Sequence, residues 1–187
     1  MPLAPFSVER SHLLADTAGL QRIEVEIGPG NCGFLLEAAR RRADTLFVGI
    51  EIRPSSPARA TRRGTPPPNV RILCTDARWM VVNLLAPQAI DAYHVYFPDP
   101  WWKKRHHKRR LFTPEFCAAA HRTLRTGGAI YVATDVTPVF EGICENLLRA
   151  GFTQRPWQGR HDDPACSSYE RKYRAQSRQI HQAAFQK

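Results

Sequence analysis

Arg22-Ile23-Glu24-Val25-Glu26-Ile27-Gly28-Pro29-Gly30-Asn31-Cys32-Gly33-Phe34-Leu35-Leu36-Glu37-Ala38-Ala39-Arg40 changes structural period part-way along. Apolar and charged residues alternate through Ile27, which predicts a strand. Gly28 to Gly33 reads as a tight turn. Phe34 to Arg40 then reads as a helix, with arginine at its carboxyl end, where the helix dipole is negative. Gly28, Gly30 and Gly33 make G-x-G-x-x-G between strand and helix. Glycine lets the chain turn sharply there and lets a ligand approach the backbone.

The same alternation of strand and helix continues along the chain. Leu46 to Ile50 is a buried strand ending at Glu51, and Val70 to Cys74 is a third strand ending near Asp76. Ala77 to Leu85 reads as a helix, and Ala92 to Phe97 as a fourth strand. Thr113-Pro114 is an N-cap followed by proline at the first helical position. That helix should run to about Leu124 and end at Gly127-Gly128. Ala129 to Thr134 is a fifth strand, ending at Asp135. Thr137-Pro138 opens a helix with Val139, Ile143, Leu147 and Ala150 on one face. A short helix fits between Ala58 and Arg63. The tail from Phe152 adds one or two strands, with Ser167 to Tyr173 the best placed. This order predicts an α/β fold, doubly wound around a mainly parallel, Rossmann-like sheet with helices on both faces. Residues 1–21 read as a short arm and residues 22–187 as a single domain.

Composition narrows the partners. The chain is 43% hydrophobic and carries 27 Lys+Arg against 17 Asp+Glu, so it can bury a core and still has a net charge of +10. A field of that sign favours phosphate-rich partners. The five cysteines are scattered without C-x-x-C spacing, which argues against a disulfide framework or a zinc site, and no metal is expected. The first residues lack the order of a signal peptide, and no stretch has the length of a membrane span. A cytoplasmic protein with no membrane partner is the expectation.

The charge is concentrated in Phe97-Pro98-Asp99-Pro100-Trp101-Trp102-Lys103-Lys104-Arg105-His106-His107-Lys108-Arg109-Arg110. The prolines cannot donate to a sheet ladder, so they stop the strand and present Asp99 at its carboxyl end. Open α/β sheets build their sites at that edge. Flat π faces and a cationic run follow, a set that suits an anionic polymer with aromatic bases. Trp101 reads as core beneath the turn and Trp102 as the stacking face. Glu26, Glu51, Asp76, Asp99 and Asp135 all fall at or near strand ends, and such crowding of carboxylates requires cations or hydrogen-bond donors. Glu51 lies about twenty residues beyond the glycines, the place of an acid that binds ribose hydroxyls. That fits a nicotinamide dinucleotide and S-adenosylmethionine alike. Glu26, two residues before Gly28, favours the second, because it would repel a pyrophosphate and attract a sulfonium or ammonium cation.

F-P-D-P-W-W-K-K-R-H-H-K-R-R-L, with V-E-I-G-P-G-N-C-G, G-I-E-I-R-P, L-C-T-D-A and T-D-V, resembles the bacterial tRNA (guanine-N7-)-methyltransferase family over roughly residues 22 to 174. The resemblance implies a class I methyltransferase fold, S-adenosylmethionine as cofactor, tRNA as partner, and methyl transfer to N7 of guanine 46, in tRNA numbering, in the variable loop. It implies that Glu26, Gly28, Gly30, Glu51, Asp76 and Asp99 hold the cofactor, with Asp99 also the catalytic-site acid. Lys103, Asp135, Ser167, Ser168, Tyr169 and Glu170 would contact the guanosine or its surroundings. Trp102, Lys104, Arg105, Lys108, Arg109 and Arg110 would bind RNA. The family's last segment is usually T-K-F-E and stands here as S-S-Y-E, and the chain is a shortened member.

Guanine N7 is a lone-pair acceptor, so its methylation needs alignment rather than a base. Asp99, Asp135 or Glu170 would accept hydrogen bonds from guanine N1–H and N2–H₂. Two alternatives stand beside this reading: a non-catalytic RNA-binding protein on a methyltransferase scaffold, and a class I methyltransferase acting on another RNA or a small molecule.

Overall fold

The computed structural model describes residues 8–15, 19–53, 65–157 and 168–187. Strands β1 (Arg22–Ile27), β2 (Thr45–Glu51), β3 (Val70–Cys74), β4 (Ile90–Tyr96), β5 (Leu124–Thr134), β6 (Thr153–Arg155) and β7 (His181–Gln186) form one sheet in the order β3-β2-β1-β4-β5-β7-β6. The first five in that order are parallel, and β7 runs antiparallel to both β5 and β6. The order reverses between β1 and β4. Crevices outside the carboxyl ends of strands open at such a switch point.

Strand alternation sends side chains to two separate cores. Ile23, Val25 and Ile27 of β1 and Tyr93 and Val95 of β4 pack on one face with α3 (Ala77–Asn83), α4 (Pro114–Thr123) and α5 (Thr137–Arg149). Phe47 of β2 and Val70 of β3 pack on the other with Phe34, Leu35 and Leu36 of α2 (Gly33–Arg41). The second face also buries charge. Glu24 of β1 is fully buried and accepts from Arg42 at 2.8 Å, with His94 Nε2 2.9 Å from the same oxygen.

The helix ends follow local chemistry. Thr113 caps α4 by accepting from the Phe116 amide at 3.2 Å, and Pro114 fills its first position. Before β1, α1 (Arg10–Leu14) is tied to the sheet: Arg10 Nη1 donates to Asp91 at 2.7 Å and to the Ala89 carbonyl at 3.0 Å. Residue periodicity shows no sign of this helix.

Two boundaries differ from expectation. Gly127-Gly128 does not end α4, which stops at Thr123. The pair lies inside β5, where the register slips between Ile90 and Ala92 of the neighbouring strand. A Cβ on Gly128 would sit 2.8 Å from the Arg125 carbonyl oxygen and 3.0 Å from that of Asp91, so glycine is required by close backbone approach. The Ser167–Tyr173 strand is also overturned, because Ser168–Ala175 is a helix, α6. Glu, Arg, Lys and Ala are good helix formers, and Glu170 pairs with Arg174 one turn on at 2.6 Å. The last strand is His181–Gln186 instead. Ser167 and the segment Ala58 to Arg63 lie outside the described residues. Among the described residues, no helix is long and apolar enough to cross a membrane.

Candidate active site

At the switch point, β1 ends in a turn with two left-handed glycines, Gly28 at φ 70° and Gly30 at φ 54°. Among the described residues, its chain neighbours aside, no atom lies within 4 Å of a Cβ built on Gly28, so conformation rather than crowding demands glycine there. The Gly28 amide donates to the Ile50 carbonyl at 2.9 Å, locking the turn to β2.

A cavity of about 700 Å³ opens beside this turn. Gly28, Glu51, Asp76 and Asp99 line it, so four of the residues assigned from sequence meet at one place. Ile52, Trp79 and Leu111 add apolar wall. Asp76 has a second duty, since it caps α3 by accepting from the Trp79 amide at 3.0 Å. Sequence reasoning missed Trp79, although an exposed tryptophan three residues after a strand-end acid is a usable signal.

Glu26 lies beneath the wall, only 3% exposed. Burial, with a smaller contribution from the Glu51 charge, raises its carboxyl to about 8, against a lowering hydrogen bond from the Leu35 amide. Among the described residues its Oε2 has no hydrogen-bond partner. Burial thus favours the neutral form of this carboxyl, which weakens the attraction for a cation read from the sequence, and Glu26 does not itself line the cavity.

The Phe97–Trp101 loop forms the far wall. Its two ends, Phe97 at φ 52° and Trp101 at φ 45°, are left-handed without being glycine. Trp101 is not core: it lines the cavity, with the Arg109 guanidinium 5.1 Å from its ring centroid and His106 edge-on. The prolines and the left-handed backbone turn this ring out of the interior. Trp102 is 70% exposed. Lys103 is exposed and caps a 3₁₀ turn, Lys104–Arg109. Lys108 and Arg109 stand on the cavity wall, while Lys104 and Arg105 face solvent. Arg110 donates from Nε to the Pro100 carbonyl at 3.0 Å, so it also braces the loop.

One strand over, a second group gathers at the ends of β4 and β5. The Phe97 ring meets Tyr173 edge-on at 5.3 Å and Tyr169 at 6.1 Å, both from α6. Asp135 accepts from Arg178 Nη1 at 2.7 Å, and the Arg178 guanidinium lies 4.7 Å from the Tyr173 ring centroid. Glu170 accepts from Arg174 and, at 3.3 Å, from Gln182. Asp135, Tyr169 and Glu170 therefore share this second group and do not line the cavity. The side chain of Ser168 lies outside the described set.

A family model described as "Putative methyltransferase" matches residues 21–183. A tRNA (guanine-N(7)-)-methyltransferase of Myxococcus xanthus is 34% identical over 169 residues, covering 86% of this chain and 81% of that protein. The chain belongs to the tRNA (guanine-N(7)-)-methyltransferase family. Relatives of the same name from Synechococcus and Nitrosococcus oceani are 34% and 37% identical. They cover 76% and 78% of this chain, which spans 61% and 63% of their own lengths. Solved structures share the fold of this tRNA (guanine-N(7)-)-methyltransferase family chain. The aminoglycoside resistance methyltransferase NpmB1 aligns with a TM-score of 0.63 at 18% identity, covering 97% of this chain and 94% of that one. The 16S rRNA methyltransferase KamB aligns with 0.63 at 16%, covering 97% and 93%. The doubly wound α/β fold read from the alternation of strands and helices is thus the one found, and the solved structures that share it are methyltransferases, in keeping with the fold that the resemblance implied.

Proposed function

We propose that the protein transfers a methyl group from S-adenosylmethionine to N7 of a guanine in tRNA, at position 46 of the variable loop in tRNA numbering. One observation carries the reading: the Phe97–Trp101 loop stands between the two groups, with Asp99 toward the cavity and the Phe97 ring toward the aromatic and acidic cluster. A methyl donor on one side and a base on the other would meet across Asp99.

The cavity suits the cofactor. Its volume of about 700 Å³ falls within the ~300–1,000 Å³ of small-ligand sites. Its carboxylates would welcome ribose hydroxyls and a cation and repel a pyrophosphate. Glu51, Asp76 and Asp99 hold the ligand in this reading, and Gly28 and Gly30 let it approach the backbone, with Glu26 supporting them. S-adenosylmethionine supplies an electrophilic methyl group on a sulfonium.

The protein's own residues then orient the base. Guanine N7 carries a lone pair, so no side chain has to remove a proton before attack. Asp135 or Glu170 accepts from N1–H and N2–H₂, with the base against Phe97 and Tyr173. That fixes N7 toward the methyl group and offsets the positive charge that grows on the purine. Lys103, Lys104, Arg105 and Lys108 grip the phosphates, and Trp102 offers a stacking face. In this reading residues 22–187 act as one domain. Incubation with labelled cofactor and unmodified tRNA, followed by mapping, should place the methyl group on a variable-loop guanine. Label on another base or position, or none at all, would reject the assignment.

A further inference from the structure

We propose that Arg178 occupies the guanine's own place on Asp135 and Tyr173 in the substrate-free protein, so that a base must displace it to enter. This rests on the preceding reading of Asp135 as an acid that accepts from the guanine edge. The guanidinium makes the two contacts a bound guanine would make. It donates an N–H to the Asp135 carboxylate at 2.7 Å, and it lies over the Tyr173 ring at 4.7 Å. A guanidinium is planar with adjacent N–H donors, and the N1–H, N2–H₂ edge of guanine is built the same way. Both match a carboxylate two-pronged.

The backbone holds the arginine there. The Arg178 amide donates to the Tyr173 carbonyl at 3.0 Å and the Ser177 amide to the Arg174 carbonyl at 3.0 Å. With Ser177 left-handed at φ 52°, this is a Schellman closure of α6. Such a closure brings the residue after the left-handed position against the residue five before it, here Arg178 on Tyr173. The placement is thus written into the end of the helix rather than left to a wandering side chain.

The arrangement is also releasable. Asp135 is 13% exposed and the Arg178 side chain 52% exposed. The acid is therefore costly to leave bare, while its half-exposed partner is cheap to exchange. Guanine can replace the arginine donor for donor. Adenine presents N1 as an acceptor on the same edge and would set a lone pair against the carboxylate. Base selection lies with Asp135: guanine satisfies the carboxylate and takes the place of Arg178, whereas adenine does not and leaves it there.

The test uses the full chain saturated with S-adenosylhomocysteine and titrated by NMR with GMP and with AMP. The phosphate is common to both, so the ratio of the two affinities reports on the base alone. Arg178→Met keeps the stem and removes the donors, and it should tighten GMP by roughly two- to fivefold, the worth of a half-exposed ion pair. Asp135→Asn should abolish the preference. A GMP affinity unchanged or weakened in Arg178→Met, with the preference gone in Asp135→Asn, overturns the occupancy and leaves Asp135 as the reader of the base. An unchanged ratio in Asp135→Asn removes Asp135 from base reading, and the occupancy falls with it.

Discussion

The Glu26 carboxyl is sealed against the Leu35 amide, inside the turn whose glycines it precedes. Burial raises its pKa from 4.5 to about 8. Between those values the folded protein keeps a proton that the unfolded chain has released, so stability should fall as pH rises through this window and level off above it. The loss is on the order of a few kcal/mol. Glu26→Gln cannot ionise and should flatten the curve. Urea midpoints for both proteins at pH 5, 6.5 and 8 measure it, and parallel curves would contradict the buried neutral acid.

Asp99 is exposed at the boundary between the cavity and the base cluster. Asp99→Ala should lower the single-turnover methylation rate by roughly 10²- to 10³-fold. Its unfolding free energy should stay within about 0.5 kcal/mol of wild type, as expected of an exposed position. Retained turnover would exclude Asp99 from the reaction.

The 3₁₀ turn supplies charge without a buried anchor. Lys104→Glu with Arg105→Glu should weaken tRNA binding and reduce the slope of log K against log salt by roughly 0.7–0.9 for each phosphate no longer neutralised. An unaltered slope would move the RNA surface elsewhere. Trp102→Ala should leave the melting temperature in place while costing about 1–3 kcal/mol of RNA affinity, the worth of one stacked base.

Asp91 holds the opposite end of β4. Its Oδ2 accepts from Arg10 at 2.7 Å and from the Ile23 amide at 2.8 Å, and its Oδ1 from Arg125 at 3.4 Å. Asp91→Ala strands a buried amide and a half-buried arginine together, for a loss of roughly 3 kcal/mol. Denaturant unfolding should show the loss, with hydrogen exchange accelerated first in Arg10–Leu14. S-adenosylhomocysteine affinity should hold, since the cavity lies at the far end of the strand.

The strands and helices described between Arg22 and Arg149 were largely legible because their periods differ and because caps such as Thr113-Pro114 have a fixed chemistry. The strand-end acids were legible for the same reason, since a strand's end is where the period breaks. What failed was decided by neighbours distant in sequence. Gly127-Gly128 looks like a helix stop, yet the Asp91 carbonyl is what demands glycine there. Ser-Tyr-Glu-Arg-Lys-Tyr alternates enough to mimic a strand, while Glu170 and Arg174 bond one turn apart. Trp101 has the composition of core, and its left-handed backbone turns it to the cavity. Arg178 carried no local signal, because its meaning depends on an acid 43 positions earlier.

Phe97 and Trp101 hold left-handed angles at both ends of the loop that carries Asp99. Each such residue costs about 1–3 kcal/mol. Glycine at either place would relax the backbone, but it would give up the ring contacts to Tyr173 or Arg109 and slacken the tether on Asp99. The strain at these two positions is therefore borne by the aromatic rings that flank the carboxylate, and one pair of residues both bends the backbone and clamps it.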